Sequence, residues 1–482
     1  MQKDNTKTNF LFQMFYQIIT LVIPLIIAPY LTRTLGDNSL GIYTYTFSIM
    51  SCFMAIARLG IDKYGQRVIA ATRDDLEQLR ITFWSLYVVH AFFTVFALLV
   101  YFLFLHFIVE RYYIVYLIQG LALLGVIFDI TWFFYGIENF KFVVIENLCV
   151  KTLELVLIFA FVKNQSDLNI YVFIMSLSIC IGYMVVLPFV IKRIKPIKIT
   201  WFDIKQHIKP LLILFFAVLA TTAYQMIDKT LLGLLSTTAN VAYYEYANKI
   251  VNVPVNLVYV TGTVLMPRAC AYAAKKDVIN QIKYIDYSLN FVCFLGFGAI
   301  FGFLSISKLF TLIYYGADFI NCGSVMMALC PVIIFLGIEN IVRTQYMIPN
   351  KMDKEFTICI VLTAVVNLIV SLILIPIIGT FGAVVGTIIA EFVCTIIQIY
   401  LCRSIIKIKK IIKTSIPYIL SGIIMYLIIF LIKYKCNNSI WDLIIQILVG
   451  GCSYCFTSLL FCYLNPNFKS NIKLNIKKLT HK

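Results

Sequence analysis

The sequence predicts an all-α integral membrane protein of about fourteen transmembrane helices. Three observations predict it. The 482 residues are 61% hydrophobic and 13% charged, whereas a soluble domain is roughly 45–50% apolar and 25% charged. Apolar runs of about 20 residues, the length that crosses a hydrocarbon layer about 30 Å thick, recur from one end to the other. The basic residues between them gather in alternate loops.

In chain order, the windows that can span lie near 10–32, 39–59, 81–105, 113–133, 145–163, 169–191, 211–235, 239–262, 286–306, 322–342, 358–378, 380–401, 416–433 and 440–463. The first follows a polar start, contains Pro24 and Pro29 and has no small-residue cleavage site, so it reads as a retained helix rather than a signal peptide. One side of the membrane receives Lys63, Arg67, Arg73 and Arg80, the run Lys192 to Lys209, Lys275, Lys276 and Lys283, Lys351 and Lys354, Arg403 to Lys413, and the tail from Lys469 to Lys482. The other receives Arg33, Arg111, Lys163, Lys308, Lys433 and Lys435. Lys and Arg are retained on the cytoplasmic side, so both termini are expected in the cytoplasm. The outer loops are all short, which leaves no external domain for a glycan-polymerising site.

The net charge of +17 is spent on orientation in these loops, and nucleic-acid binding is not expected. The cysteines fall mostly inside apolar runs (Cys52, Cys149, Cys180, Cys293, Cys330, Cys394), without paired metal-ligand spacing, and read as small hydrophobes. The four histidines (His90, His106, His207, His481) are scattered. Neither a metal nor a cofactor is expected, and no Gly-rich loop ends in Lys-Ser or Lys-Thr as nucleotide binding would need.

The chain carries an internal repeat. Leu31-Thr-Arg33-Thr-Leu-Gly36, followed by Gly41-Ile-Tyr43-Thr-Tyr45, pairs with Asp228-Lys229-Thr-Leu-Leu-Gly233, followed by Ala242-Tyr-Tyr244-Glu-Tyr246. A second pair keeps the period: Trp132 to Phe142 after the fourth window, and Gln345 to Phe356 after the tenth. Six helices plus six helices is the reading, a plan in which one half rocks against the other around a central site. The expected organisation is 1–209 for the first lobe, 210–402 for the second, and 403–482 for two appended helices and a basic tail.

These stretches, with Leu265-Met-Pro267-Arg268 and Arg343-Thr-Gln-Tyr346, resemble the polysaccharide-exporting branch of the MOP superfamily, the Wzx-type O-antigen or capsule repeat-unit flippases, over about residues 10 to 400. The resemblance implies a MATE-like fold of two pseudo-two-fold-related six-helix lobes around a cavity. It implies an undecaprenyl-diphosphate-linked oligosaccharide as substrate, turned from the inner to the outer leaflet of a bacterial cytoplasmic membrane. It further implies H+ or Na+ as coupling ion rather than ATP, and a polysaccharide polymerase and chain-length regulator as partners. A lipid II-type flippase, a MATE-type cation or drug antiporter and, more remotely, a membrane polymerase remain open as alternatives.

A diphosphate crossing hydrocarbon needs a wet passage with cations at depth, and a charge at a helix centre costs about 2.5–3.5 kcal/mol on insertion scales, so such residues face the interior. The candidate substrate-binding cations are Lys229, Arg33, Arg58, Lys249, Arg268 and Arg343, and the candidate coupling or gating acids are Asp228, Glu245, Asp62 and Glu339. Asp129 and Glu391 also lie in or at the ends of windows. Glu245 and Lys249 are four apart with the acid first, an order in which helical pairs neutralise each other. Arg58 and Asp62, also four apart at the inner end of the second window, read as a gating salt bridge or an orientation signal. Lys151 with Glu154 places further charge inside a window. Tyr43, Tyr45, Tyr243, Tyr244 and Tyr246 read mostly as an interfacial belt. Gly296, Gly298 and Gly302, and Gly379, Gly382 and Gly386, read as close-packing faces.

Overall fold

Lipid offers no partner to a bare N–H or C=O, so an apolar run satisfies its backbone by coiling. The computed structural model describes residues 6–433 and 439–464, and these form helices and turns throughout. Lys435 and the basic tail from Lys469 lie outside the described residues. The chain forms two compact units, Met1–Ala242 and Tyr243–Lys482.

The first unit comprises α1 (Thr6–Arg58), α2 (Ile61–Thr72), α3 (Leu76–Phe107), α4 (Tyr113–Gly125), a 3-10 turn (Val126–Phe128), α5 (Thr131–Gly136), α6 (Phe140–Phe161), α7 (Leu168–Arg193) and α8 (Trp201–Leu235). At the boundary begins α9 (Thr238–Ala274), and the second unit continues with α10 (Val278–Tyr314), α11 (Ile320–Leu329), α12 (Val332–Val342), α13 (Asp353–Ile378), α14 (Thr380–Leu401), α15 (Ile408–Lys433) and α16 (Ile440–Leu464). Every window of the sequence falls on helix, the first two both on α1, the fourth across α4 and α5, and the tenth across α11 and α12. By length and composition 11 of the described helices can cross a membrane, or 12 with α11 and α12 taken as one bent span. Two features account for the shorter count. The first two windows are two helices that run on from one another across a break at Gly36 (φ 73°, ψ 177°), not at Pro24 or Pro29, and so count as one, a conformation that costs glycine little. In addition, α6 carries Lys141, Glu146, Lys151 and Glu154, which dilute its hydropathy.

The loop expected between the second and third windows contains a helix, α2. Ile61, Tyr64, Gly65 and Ile69 are its buried stripe, with Lys63 and Arg67 exposed on the other side, the amphipathic pattern of a helix lying along a surface. The stripe sits on an aromatic core in which Trp132 stacks on Phe83 at 5.5 Å and Phe133 meets the same ring edge-on at 5.2 Å. Gly65 permits this, because a Cβ there would lie 2.7 Å from the Trp132 ring.

The repeat is visible in local geometry. The first motif copies pack on one another: a Cβ on Gly41 would come within 1.8 Å of the Thr238 carbonyl oxygen, one on Gly233 within 1.9 Å of the Tyr45 ring, and Ser48 Oγ meets Thr230 Oγ1 at 2.9 Å. Thus α8, assigned by sequence to the second lobe, makes its contacts with α1, α2 and α3. The second motif copies end alike. Glu138 and Lys351 both adopt a left-handed backbone (φ 60° and 58°). Each closes the preceding turn with the same pair of bonds, Glu138 N to Tyr135 O with Asn139 N to Phe134 O, and Lys351 N to Ile348 O with Met352 N to Met347 O, a Schellman cap.

In the second unit, α15 and α16 are docked on α10. The Tyr454 hydroxyl donates to the Phe294 carbonyl at 2.7 Å, Lys410 meets Asp286 at 2.5 Å, and the Phe301 ring fills the space a Cβ on Gly422 would take. The α13–α14 hairpin turns at Gly379 (φ 57°), and Gly382 and Gly386 lie against the Leu374–Ile375 backbone and Ser371. Those two glycines are a packing face, and Gly298 packs on Tyr454. Gly302 differs from expectation, for among the described residues no neighbour beyond its own turn of helix lies within 4 Å of the Cβ it lacks.

Candidate functional site

In the first unit, the charges converge on Arg58. It ends α1, and the left-handed Leu59 and Gly60 (φ 46° and 72°) turn the chain so that Asp62 falls in the first turn of α2. A cation at a helix C-terminus and an anion at an N-terminus both suit the helix dipoles. The fourth span is broken after Val126–Phe128, and Asp129 stands in the break, accepting from Thr131 N (3.2 Å) and Thr131 Oγ1 (2.7 Å) to start α5. Its other oxygen meets Arg58 Nη2 at 3.1 Å, and its side chain is 3% exposed. From α7, the Tyr183 hydroxyl accepts from the same guanidinium nitrogen.

Sequence spacing suggested Asp62 as the partner of Arg58. The structure puts Asp62 at 3.9 Å and 45% exposed, so Asp129, brought by a helix break rather than by helical spacing, makes the shorter and drier bond. Two further groups were not foreseen. His90 of α3, fully buried, meets the Val126 carbonyl through Nε2 at 2.7 Å and lies within electrostatic reach of Asp129 and Asp62. Glu146 of α6 takes a bond from Asn147 Nδ2 at 3.0 Å and reaches to 3.0 Å from where a Gly182 Cβ would stand. Glu146 could have been noticed as one more charge in an apolar window; Tyr183 is one of 30 tyrosines and nothing in the pattern marks it. Arg58 is therefore a cation held between Asp129, Asp62 and the Tyr183 hydroxyl, with its Nε buried and unbonded among the described residues.

Also in this unit, Asp228 is buried on α8 while Lys229 is half-buried on the next face, and Arg33 is exposed. Lys151 and Glu154 pair at 2.8 Å, which neutralises α6 locally.

In the second unit, Glu245 and Lys249 pair at 3.5 Å, and the Lys249 ammonium also stands 4.2 Å from the centre of the Tyr246 ring. Tyr244 and Tyr246 are buried and not belt residues, since Tyr244 bonds Thr387 at 2.9 Å and Tyr246 packs against Tyr315 and Phe319. Arg268 is exposed and bonds the Tyr284 hydroxyl at 3.4 Å. Arg343 begins a single π-helical turn (Arg343–Met347) and lies between the Tyr259 and Phe356 rings, 5.9 and 5.7 Å from their centres. On α12, Glu339 accepts from Thr395 Oγ1 at 3.0 Å, and it gathers with Glu391 and Cys394 of α14, their polar atoms all within 4.8 Å of one another. Spacing in sequence could not have joined residues on separate helices.

Comparison with known proteins places these features. A family model described as polysaccharide biosynthesis protein matches residues 6–273. A curated protein of Escherichia coli (strain K12) named "Putative O-antigen transporter" is 21% identical over 415 residues, 83% of this chain and 98% of the relative. One of the same name from Shigella dysenteriae is 23% identical over 380 residues, 76% and 92% of the two chains. Among solved structures, the lipid II flippase MurJ in an inward closed conformation superposes with a TM-score of 0.76 at 18% identity, covering 94% of this chain and 99% of its own. An inward-facing MATE multidrug transporter of the MOP superfamily follows at 0.63 and 14% identity, covering 83% and 96%. These two share the fold. The chain belongs to the polysaccharide biosynthesis protein family and is a multi-pass membrane transporter, not an enzyme.

Proposed function

We propose that this protein turns oligosaccharide repeat units, carried on undecaprenyl diphosphate, from the cytoplasmic to the outer leaflet of a bacterial inner membrane by alternating access, with both termini in the cytoplasm and an ion gradient as the driving force. The observation that carries the reading is the match along 98% of an O-antigen transporter's length. Chemistry supports it. A phosphorylated lipid moving through hydrocarbon needs cations that are already stabilised by protein, and Arg58, Lys249 and Arg343 are each held part-buried by acids or aromatic rings. Lys229 and Arg33, at equivalent places in the repeat, are the proposed diphosphate contacts, Arg268 and Arg343 the headgroup contacts at inner helix ends, and Asp228, Glu245, Asp62 and Glu339 the gating or coupling acids. A polysaccharide polymerase and a chain-length regulator are the expected functional partners.

The test is export in a strain that lacks its own repeat-unit flippase but makes a matching lipid-linked oligosaccharide. Surface polysaccharide should return with the wild-type protein. Lys229→Ala and Arg33→Ala should each reduce it about 10-fold or more, the loss of one charge-assisted hydrogen bond worth about 1.5–3 kcal/mol. Restoration of growth on blocked peptidoglycan synthesis instead of polysaccharide export would assign the protein to lipid II, and full export by both variants would remove these two residues from the diphosphate site.

A further inference from the structure

Carboxylate oxygens of Glu339 and Glu391 lie within 4.8 Å of each other inside the second unit. Two ionised carboxylates that close in an apolar interior repel strongly, whereas one proton between them removes a charge and supplies a donor. Their surroundings agree. Glu391 and Cys394 are buried, and Thr395 donates to Glu339. Gln398, also fully buried, leans its amide nitrogen on Cys394 Sγ at 3.4 Å while its Oε1 is buried and unbonded among the described residues. An acceptor without a donor beside a carboxyl pair points to a site that takes up a proton. The thiol in the cluster disfavours Na+, a hard cation that prefers a full oxygen shell. We infer that Glu339 and Glu391 form a dyad that shares one proton and that this dyad is the proton-coupling site of the transporter.

The fold gives the dyad a moving part. Glu339 rides on α12, a short segment bounded by the Pro331 break, which bends the span by 47°, and by the π-helical turn at Arg343–Met347. π-turns and such breaks are places where helices rearrange, often at functional sites. Glu391 rides on α14, which pairs with α13 along its length. When the proton leaves, two like charges stand side by side in an apolar interior, and the low dielectric makes their repulsion large. The short α12, bounded by these two breaks, then has reason to turn and carry Glu339 away. The titratable and charged groups around the dyad are Tyr259 of α9, Arg343 at the end of α12, Cys394 of α14, and Cys359 and Glu355 of α13. Arg343 is the one cation among them, already placed between Tyr259 and Phe356, and is positioned to receive the displaced Glu339.

That the dyad drives transport rests on the flippase reading, whereas its shared proton does not, so the test separates them. The full-length protein in lipid nanodiscs is treated with dicyclohexylcarbodiimide, which reacts with protonated carboxyls in apolar surroundings, and the adducts are located by peptide mass spectrometry. The expected result is one adduct per chain, on Glu339 or Glu391 and never on both, that fades as pH rises and is indifferent to Na+. In Glu391→Gln, labelling of Glu339 should fade at a lower pH than in the wild type, because the like charge that resists ionisation is gone. Adducts on both residues of one chain, protection by Na+ or a divalent cation at fixed pH, or an unchanged pH profile in Glu391→Gln would each overturn the dyad. With labelling as expected, Glu339→Gln and Glu391→Gln should lose export driven by a pH gradient. Retention of export in both would sever the dyad from transport and leave its proton in place.

Discussion

Arg58→Ala is expected to lose about 3–5 kcal/mol of stability and to abolish export, because removing one partner of a buried ion pair strands the other. Asp129, 3% exposed, would keep only its bonds from Thr131, and the α1–α2 turn, the break before α5 and Tyr183 on α7 would lose their common contact. Asp62→Asn should cost under about 1 kcal/mol, since Asp62 is 3.9 Å away and nearly half exposed. Thermal unfolding in detergent, followed alongside surface polysaccharide, measures both. A third protein distinguishes scaffold from function. Arg58→Met with Asp129→Leu replaces the pair by apolar side chains of similar size, a change that is often neutral or stabilising. It should regain the lost stability and still not export if Arg58 serves the proposed transport of a phosphorylated lipid, because its charge is gone. A double variant that exports normally would make Arg58 purely structural.

Gly41→Ala should be as damaging as any single methyl group can be in this protein. Elsewhere on a helix, glycine to alanine gains roughly 0.5–1 kcal/mol by restricting the unfolded chain. At Gly41 the new Cβ would lie 1.8 Å from the carbonyl oxygen of Thr238, a backbone atom that cannot rotate aside. The start of α9 must then move off α1, and the Thr238–Asn38 side-chain bond goes with it. Overpacking of this kind costs about 1–3 kcal/mol or more. Gly302→Ala is the matched control, because among the described residues no neighbour beyond its own turn of helix lies within 4 Å of its Cβ position, and it should be neutral or slightly stabilising. Equal unfolding temperatures for the two variants would refute the close approach of the two motif copies.

Much of this architecture is legible without coordinates, and the misses share one cause. The windows matched helices because hydropathy adds up along the chain and the bilayer demands a fixed length of it. The Gly36 and Gly233 motifs marked real junctions, since a sequence duplicated for a junction preserves the small residues the junction needs. The belt assignment failed for Tyr244 and Tyr246, because amphipathic rings are equally at home at an interface and, when bonded, in a core. Gly302 failed as a packing residue because a small side chain permits close approach without ensuring that a neighbour comes.

The candidate sites divide along the same line. Helical spacing joined Glu245 with Lys249, and the structure pairs them, since neighbours on one helix are fixed by its pitch. It could propose only Asp62 for Arg58, because Asp129 arrives from a broken span and Tyr183 from another helix. By itself the sequence determined that the chain crosses a membrane many times, where its helices fall, that its halves repeat and that charge is carried into the interior. The tertiary structure alone decided which charge meets which, Arg58 with Asp129 and Glu339 with Glu391, because that depends on how far each helix is turned about its axis and how closely it packs, and neither is written in the local pattern.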